Sequence, residues 1–312
     1  MENENSHYMF SCVAFSPDFK RHPLCFAGTQ QTLLVSRDGG INWQDALTSL
    51  GLTEPVAVTA VMCVPQPKHP AVWIAGIVGG FLRSQDDGRT WQAIQAGPPA
   101  AVITSLAACG SANLYAGTAE DGIFVSRDGG SQWESSNSGL LDRHIFSMAV
   151  LPAGAKGPAA LLAGAESGIF RSTDDGRAWS KVDGLPPGGV GAVLALGASP
   201  AGDPPAIYAG TETGALFSSQ DGGISWAATA VGIFETEISV LVASGNSVLA
   251  ASHEQLMRSH DGGQTWKAWN STEAVGGSIL SIAAPQGLDS GQPVLVGTNG
   301  NIYRIFEEQA DK

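Results

Sequence analysis

Charged residues are scarce in this sequence: they make up 14% of its 312 residues, with 29 acidic against 16 basic side chains. The net charge of −13 opposes binding to nucleic acid or to an anionic membrane, because both require a positive patch. No apolar run reaches the roughly 18 residues of a transmembrane helix, so no membrane insertion is expected. The N-terminal stretch MENENSHYMF lacks the basic start and apolar core of a signal peptide, so we expect a cytoplasmic protein.

Cysteine and histidine are also rare. The four cysteines (Cys12, Cys25, Cys63 and Cys109) do not have the spacing of metal ligands, and the six histidines are scattered. We therefore predict buried free thiols, no metal site and no cofactor. The sequence also lacks a Ser–His–Asp arrangement and a phosphate-binding glycine loop. Glycine, by contrast, is abundant at 40 residues, which is typical of short strands joined by tight turns.

The dominant pattern is the motif Ser-x-Asp-x-Gly-x-x-Trp, which occurs six times at intervals of 40–48 residues. Six of the eight tryptophans occupy its last position. The copies are Ser36/Asp38/Gly40/Trp43, Ser84/Asp86/Gly88/Trp91, Ser126/Asp128/Gly130/Trp133, Ser172/Asp174/Gly176/Trp179, Ser219/Asp221/Gly223/Trp226 and Ser259/Asp261/Gly263/Trp266. Internal repeats of this length indicate a repeat architecture.

Two further features lie upstream of each motif and bring the number of units to seven. The first is a step of small residues: Ala27-Gly28-Thr29, Ala75-Gly76, Ala116-Gly117-Thr118, Ala163-Gly164, Ala209-Gly210-Thr211, Ala250-Ala251 and Val296-Gly297-Thr298. The second is a small residue in the preceding apolar run: Ser11, Ala60, Ser105, Ser147, Ala192, Ser239 and Ser281. The seventh unit has lost its Asp motif.

Each unit is predicted to contain four short strands, A to D; in the third unit these are 102–108, 113–118, 122–128 and 132–136. Such units predict an all-β, seven-bladed β-propeller of antiparallel blades in a single domain, 1–312. The predicted blades are 8–56, 57–100, 101–143, 144–188, 189–237, 238–276 and 277–312. The last is degenerate, and we expect it to be three-stranded or closed by the N-terminal segment.

The motif itself has a structural explanation. Its Asp accepts backbone N–H bonds across the turn between strands C and D, and its Gly supplies a positive φ angle. Its Trp then covers apolar surface at the blade margin. Local turn chemistry therefore accounts for all four residues without a ligand, and we expect no ion at these turns.

These motifs resemble the Asp-box (BNR) repeats shared by sialidases, xyloglucanases, sortilin-type receptors and photosystem II assembly-factor propellers. The resemblance extends from about Met9 to Phe306. In size and in its seven-fold count the chain is most similar to the assembly-factor type, which implies protein binding. The Arg-rich basic patch used by that type is not found in this sequence.

The strand order places the C–D and A–B turns on one face, the box face, and the B–C and D–A loops on the other, the opposite face. Arg37, Arg89, Arg127 and Arg177 lie on the box face. Carboxylates concentrate on the opposite face, at Glu54, Glu120, Asp121, Asp142, Glu166, Asp183, Glu212, Glu235, Glu237, Glu254 and Glu273, interrupted by Arg143, His144 and His253. They form either a solvated rim or a docking surface for a basic or polar partner.

We predict docking of a protein partner at this opposite face. The candidate residues are Asp142, Arg143, His144, Glu166, Glu212, Phe234, Glu235, Glu237 and Glu254. The apolar residues Leu140, Leu141, Ile233 and Phe234 in the D–A loops support docking if they are exposed. Packing against an adjacent blade would explain them equally well.

An enzymatic function is the alternative. A sialidase-like site needs three clustered arginines and a tyrosine activated by a glutamate. Only Arg143 is suitably placed, and none of Tyr8, Tyr115, Tyr208 and Tyr303 falls in a loop of the opposite face. Xyloglucanases resemble two facing propellers, whereas this chain provides one. A glycosidase using Glu166 and Glu212, or a carbohydrate-binding propeller, remains the alternative to a non-catalytic scaffold.

Overall fold

The protein was analysed as a computed structural model. It describes residues 8–66, 70–95, 101–152, 159–183, 185–186, 191–201, 205–230, 232–269, 275–285, 287–288, 291 and 293–306. Lys68, His69, Lys156 and Glu273 lie outside these ranges. Within them, no helix has the length and hydrophobicity needed to span a bilayer.

The described residues form seven antiparallel sheets and one 3-10 turn, Thr48–Leu50. The first four sheets consist of β1 (Cys12–Phe15), β2 (Cys25–Gly28), β3 (Leu33–Ser36), β4 (Gln44–Asp45); β5 (Val58–Val64), β6 (Val72–Ile77), β7 (Gly80–Ser84), β8 (Gln92–Gln95); β9 (Ile103–Cys109), β10 (Asn113–Thr118), β11 (Ile123–Ser126), β12 (Glu134–Ser135); and β13 (Ile145–Leu151), β14 (Ala160–Ala165), β15 (Gly168–Ser172), β16 (Ser180–Lys181). The last three consist of β17 (Val193–Ser199), β18 (Ala206–Thr211), β19 (Leu216–Ser219), β20 (Ala227–Ala230); β21 (Val240–Ser244), β22 (Ser247–Ala251), β23 (Leu256–Ser259), β24 (Lys267–Ala268); and β25 (Ile279–Ala283), β26 (Val294–Thr298), β27 (Ile302–Ile305).

Within each sheet the strands pair in sequence order, A to D. The A strands of all seven sheets surround one central channel of about 270 Å³. The predicted seven-bladed propeller is therefore confirmed, and its last blade has three strands among the described residues. The four cysteines are unpaired and lie on strands A (Cys12, Cys63, Cys109) and B (Cys25), as predicted. Cys25 is buried, whereas the three on strand A are only partly buried, so the predicted burial is wrong for these three.

The hydrophobic core lies between the blades. The B strands are buried along almost their whole length, since they are flanked by A and C in the sheet and by neighbouring blades above and below. The buried side chains form seven clusters, each joining two neighbouring blades. Four of the short outer strands, β4, β12, β16 and β24, are exposed. Stability therefore depends on contacts between successive blades.

The glycine of the small-residue step lies where the next blade approaches most closely. A Cβ atom on Gly28 would lie 2.5 Å from the Val58 carbonyl oxygen, and one on Gly164 would lie 2.6 Å from that of Val193. Such distances are impossible for a side chain, so the backbone contact between blades requires glycine. In the sixth blade Ala251 occupies this position.

The same contact closes the ring. A Cβ on Gly297 of the last blade would lie 2.8 Å from the carbonyl oxygen of Phe10. The Phe10 backbone N–H donates to Thr298 (2.9 Å), and the Phe10 ring is fully buried in a cluster with Leu295 and Leu34. Phe10, two residues before β1, thus packs on the last blade in the way that Val58 packs on the first.

The register of strand A differs from the prediction in three blades. The residues that pair with the strand-B small residue are Cys12, Ala60, Ser105, Ser147, Ala195, Val240 and Ser281. The residues predicted for this position in the first, fifth and sixth blades, Ser11, Ala192 and Ser239, are wrong. They lie one, three and one residues before the observed ones. The pairing register shifts near the start of strand A in several blades. Because of this shift, the sequence alone does not tell which of several adjacent small residues pairs with strand B.

The Asp box is a dense set of local hydrogen bonds. In the third blade Ser126 donates to the Asp128 carboxylate (2.9 Å) and accepts the Gly130 N–H (2.8 Å). The bond from the serine to the aspartate recurs in the other five boxes at 2.7–2.8 Å. The same Asp128 oxygen accepts two further backbone N–H groups at 2.9 and 3.0 Å. The Trp133 ring stacks on Phe81 of the preceding blade at 4.0 Å, so the box fixes the turn and also couples two blades.

Three of the six box tryptophans lie in the core between blades, so their predicted place at the blade margin is wrong for these three. Trp91, Trp179 and Trp226 are only 6%, 4% and 7% exposed. Trp179 belongs to the cluster that joins the third and fourth blades, where Tyr115 is also buried. Trp226 belongs to the cluster that joins the fourth and fifth blades. The reason for the difference is that the turn directs each ring onto the preceding blade, whose buried B strand offers more apolar surface than the margin does.

The depth of burial varies between boxes, although the motif is the same. Trp43, Trp133 and Trp266 are only partly buried, and Trp266 packs against the cluster that joins the fifth and sixth blades. The indole N–H donates to the glycine carbonyl of its own box at Trp133 (3.3 Å), Trp226 (3.2 Å) and Trp266 (2.9 Å). The indole N–H of Trp179 has no hydrogen-bond partner within the described residues. Packing on the neighbouring blade therefore decides how deeply each tryptophan is buried.

The hydrogen bonds of the box lower the pKa of its carboxyl groups. The Asn42 backbone N–H holds the pKa of Asp38 at about 2, and the Thr265 hydroxyl does the same for the pKa of Asp261. Burial alone would raise the pKa of Asp86, Asp128 and Asp221, but hydrogen bonds within the turn lower it on balance. Folding therefore favours the ionised form at each of these turns.

The first prediction concerns acid stability. Because the folded pKa lies below the unfolded value of 3.8, this stabilisation is complete above about pH 4 and is lost as the pH falls towards 2. The melting temperature should drop steeply in that window. In the double variant Asp38→Asn/Asp261→Asn the fall should be shallower, since two of the responsible carboxylates are gone. An identical slope in both proteins would contradict this role for the boxes.

Two boxes contain a strained residue. Asp87 and Asp175 have φ angles of 57° and 58°, whereas the equivalent Gly39, Gly129, Gly222 and Gly262 have φ angles of 71–78°. The carbonyl of Asp87 accepts a bond from Arg37 (3.2 Å), and that of Asp175 accepts bonds from Arg127 (3.4 Å). Both contacts use the backbone and are independent of the aspartate side chain.

The second prediction follows from this strain. Asp87→Gly should raise the free energy of unfolding by up to about 1 kcal/mol, because the left-handed conformation costs an L-residue about 1–2 kcal/mol and the added chain entropy offsets part of the gain. The reverse change Gly129→Asp is the control. It should destabilise because the φ angle of 71° strains an L-residue, and the effect is not steric, since a Cβ there meets only the Ser111 carbonyl at 3.4 Å. Urea unfolding of both variants measures the difference; a stabilised Gly129→Asp would refute the argument.

Candidate functional site

The opposite face carries a contact that recurs at the start of five blades. We call the residue two positions after the strand-B small residue the rim residue; the seven are Gln30, Val78, Ala119, Glu166, Glu212, His253 and Asn299. In five blades its side chain meets the residue three positions before the strand-A small residue. Gln30 accepts the Met9 N–H (2.7 Å), and Asn299 accepts the Ser278 N–H (2.9 Å). These two contacts are neutral.

The fourth to sixth blades replace these neutral contacts with charged ones. The His144 Nδ1 lies 3.3 Å from the Glu166 carboxylate, and the His253 Nδ1 lies 2.9 Å from that of Glu237. Glu212 accepts the Ala192 N–H at 3.1 Å. Three successive blades therefore present a glutamate beside the start of the inner strand. We call Glu166, Glu212, Glu237 and the two histidines the charged arc.

Asp142 extends the arc at the fourth blade. Its carboxylate accepts the backbone N–H groups of Ser167 (2.6 Å) and His144 (3.0 Å), and one oxygen lies 3.6 Å from the His144 Nδ1. Burial raises the pKa of Asp142, but these hydrogen bonds outweigh it and leave the pKa below its ordinary value. Asp142 is therefore a fixed anion, with only 11% of its side chain exposed.

The remaining candidates divide into exposed and buried residues. Arg143, Glu235 and Glu254 are exposed on loops of this face. Phe234 is only 5% exposed and packs in the core between the fifth and sixth blades with Ile238 and Leu241. The prediction that Phe234 lies on the docking surface is therefore wrong. Phe234 packs between blades, which was the alternative explanation.

Exposed apolar groups do occur on the same face, although not at Phe234. Leu140 is buried and Ile233 is half-buried, whereas Leu141 is 84% exposed. Phe146, at the start of β13, borders the central channel and is 37% exposed, and the rim residue Val78 is 51% exposed. The face therefore combines a charged arc with separate apolar groups, a composition suited to a protein partner.

The tyrosines are held by packing on the core. Tyr8, next to the rim contact of the first blade, and Tyr303 are partly buried against core clusters. Tyr115 and Tyr208 are buried in B strands, and burial raises the pKa of Tyr115 to about 12. Arg83 and Arg171 lie on C strands, where each donates to a glycine carbonyl of the adjacent box. These arginines therefore connect blades on the box face.

The molecule is thus a seven-bladed β-propeller with Asp-box repeats. The family model of the BNR/Asp-box repeat matches residues 257–268, which contain the sixth box. No curated protein matches the sequence.

Among solved structures, the chain is similar to YCF48 from Cyanidioschyzon merolae, with 18% identity over 97% of both chains and a TM-score of 0.68. It is also similar to the GH74 xyloglucanase from Xanthomonas campestris, with 16% identity over 96% of this chain and a TM-score of 0.72. The chain spans 52% of that enzyme's length. At these identities the likeness establishes the fold alone.

Proposed function

We propose that this protein is a non-catalytic scaffold that binds another protein through the face opposite the Asp boxes. The observation that carries the proposal is the charged arc, which places one glutamate in the rim contact of each of three successive blades. Glu166 and Glu212 are rim residues, and Glu237 is the partner of the rim residue His253. A rigid ring that presents aligned carboxylates suits a partner with basic side chains. The exposed Leu141 and Phe146 supply apolar contact area on the same face.

Structural similarity supports a binding function. The structural match covers 97% of YCF48 and 97% of this chain, and one structure of YCF48 is described as bound to D1 peptide. That description concerns YCF48. For this chain it supports recognition of a peptide or protein by a single propeller. The charged arc favours a basic partner.

The thiols support a reducing compartment for this scaffold. All four cysteines are unpaired, and burial raises the pKa of Cys12, Cys25 and Cys63 to about 12. Free cysteines of this kind are typical of proteins in reducing compartments, which favours a cytoplasmic scaffold.

The second candidate is a glycoside hydrolase or carbohydrate-binding propeller, favoured by the likeness to the xyloglucanase. Its carboxylates would be Glu166 and Glu212, since both are exposed on the arc. Assays of purified protein on xyloglucan, β-glucans and sialosides distinguish the two candidates. Turnover abolished by Glu212→Gln would establish the enzyme. Absence of turnover, together with salt-sensitive capture of a basic protein from source-cell extract, would establish the scaffold.

A further inference from the structure

We propose that Asp142, His144 and Glu166 form a binding site for a divalent transition metal, with Zn²⁺ as the ion that fits them best. The ligand atoms of the three side chains all lie within 4.8 Å of one another. The site is not predicted by sequence motifs, because Glu166 lies in a different loop from the other two. These residues also lie on the proposed docking face, but ion binding requires only the three side chains and no partner protein.

The distances within the cluster indicate coordination geometry. The His144 Nδ1 lies 3.3 Å from Glu166 and 3.6 Å from Asp142, both beyond the usual 2.7–3.2 Å of an N–H···O hydrogen bond. Two ligands about 2.0–2.1 Å from a tetrahedral ion stand roughly 3.3–3.4 Å apart. The His144–Glu166 distance therefore equals the separation of two ligands on a common ion, and the His144–Asp142 distance is slightly longer.

The sixth blade provides a comparison within the same molecule. Its His253 Nδ1 lies 2.9 Å from the Glu237 carboxylate, which is an ordinary hydrogen-bonded ion pair. The described residues around this pair do not supply a third ligand atom within the same distance limit. Histidine and glutamate also exchange positions between the two blades: His144 precedes strand A, whereas His253 is the rim residue. The two contacts are thus similar in composition and different in geometry.

The donor set selects the class of ion. One imidazole nitrogen and two carboxylate oxygens suit Zn²⁺ and its transition-metal neighbours, whereas Ca²⁺ and Mg²⁺ prefer oxygen ligands alone. Asp142 is oriented by the backbone N–H groups of Ser167 and His144, which is the kind of outer support that metal-bound carboxylates receive. His144 and Glu166 are half or more exposed, which leaves the remaining coordination positions to water or to a partner's side chain.

Calorimetric titration of the untagged full-length protein with Zn²⁺ tests the site. Wild-type protein should bind one ion, and His144→Ala should weaken that binding by at least about tenfold, since even outer-shell partners contribute 10–100-fold to metal affinity. Glu166→Gln should weaken it in the same way. His253→Ala is the matched control, because it removes an equally exposed histidine from the corresponding His–Glu contact of the sixth blade, and it should leave Zn²⁺ affinity unchanged.

Melting temperatures of the four proteins establish that each is folded, which is expected because both histidines are surface residues. Zn²⁺ should raise the melting temperature of wild-type protein and of His253→Ala, and not that of His144→Ala. Failure of wild-type protein to bind Zn²⁺ would reduce the cluster to an ion pair and overturn the proposal. Equal weakening by His144→Ala and His253→Ala would overturn it as well. Neither result would bear on partner docking, which is measured without metal.

Discussion

Replacement of Trp91 with alanine is expected to lower the free energy of unfolding by about 3–5 kcal/mol. The Trp91 side chain is 6% exposed, and its ring meets Phe26 of the first blade edge-on at 5.6 Å. Both rings belong to the cluster that joins the first two blades, together with Trp73. The substitution therefore opens a cavity between blades, where the core of this fold lies. Urea unfolding with a shared m-value measures the loss.

Trp43→Ala is the matched control. Trp43 occupies the same box position in the first blade but is only partly buried. Its removal should cost less, because less apolar surface returns to water. Asp128→Ala should cost roughly 1 kcal/mol, by analogy with the loss of a helix-capping side chain. None of the three changes should alter the intrinsic affinity of the folded fraction for a partner. Equal losses for Trp43 and Trp91 would show that burial between blades does not determine the role of these tryptophans.

The fold was predictable because its determinants are local and repeated. The bond from Ser126 to Asp128 and the bond from the Gly130 N–H to Ser126 reach no more than four residues along the chain, so the box can be identified from spacing alone. The glycine of strand B can also be recognised from the sequence, since in six of the seven blades a Cβ at this position would collide with the next blade. The small-residue step occurs seven times and the Asp box six times, and together these repeats predict the number and the order of the blades.

The burial of the box tryptophans shows where local patterns stop being informative. The motif assigns Trp179, Trp226 and Trp266 to one position of the turn, yet the first two are buried and the third is only partly so. That difference depends on the side chains of the preceding blade, which lie outside the repeat that contains the tryptophan. A repeat unit read by itself therefore predicts the turn and not the depth of the ring.

The exact register of strand A could not be predicted either. The position opposite the strand-B small residue holds Cys12, Ala195 and Val240 in three of the blades, so its chemistry is not constant. Small residues also occur one to three positions away, and register irregularities shift the pairing there. Pairing across the sheet, which depends on tertiary contact, decides between these neighbours.

The candidate site was predicted as a face and not as a set of contacts. Strand order alone assigns the carboxylates to one face. The pairs His144–Glu166 and Glu237–His253 join residues from different loops, and no motif connects them. Phe234 illustrates the opposite limit: it is next to exposed Glu235, yet interblade packing buries it. The pairs do share a position in the repeat: each joins the residue two positions after the strand-B small residue to the residue three positions before the strand-A small residue.

Reversal of Glu212, Glu235 and Glu254 to lysine is expected to weaken partner binding by at least about a hundredfold. All three side chains are exposed on the opposite face, and none belongs to the Asp142–His144–Glu166 cluster. Each reversal replaces attraction to a basic partner with repulsion, and like charges brought together at an interface cost several kcal/mol. Most of the loss should appear as slower association, and wild-type binding should weaken as salt rises. Association and dissociation rates of the captured partner, measured across a salt series, provide the test.

A pair of variants with equal net charge separates the face from the overall field of the protein. Changing the same three glutamates to glutamine raises the net charge by three, from −13 to −10. Ile41→Lys/Gln132→Lys/Ile224→Lys does the same on the box face, where all three residues are exposed. The glutamine variant should bind about tenfold more weakly, since exposed ion pairs contribute about 0.2–1 kcal/mol each. The box-face variant should bind like wild type. If both variants weaken binding equally, only long-range charge attracts the partner, and the opposite face is not the docking surface.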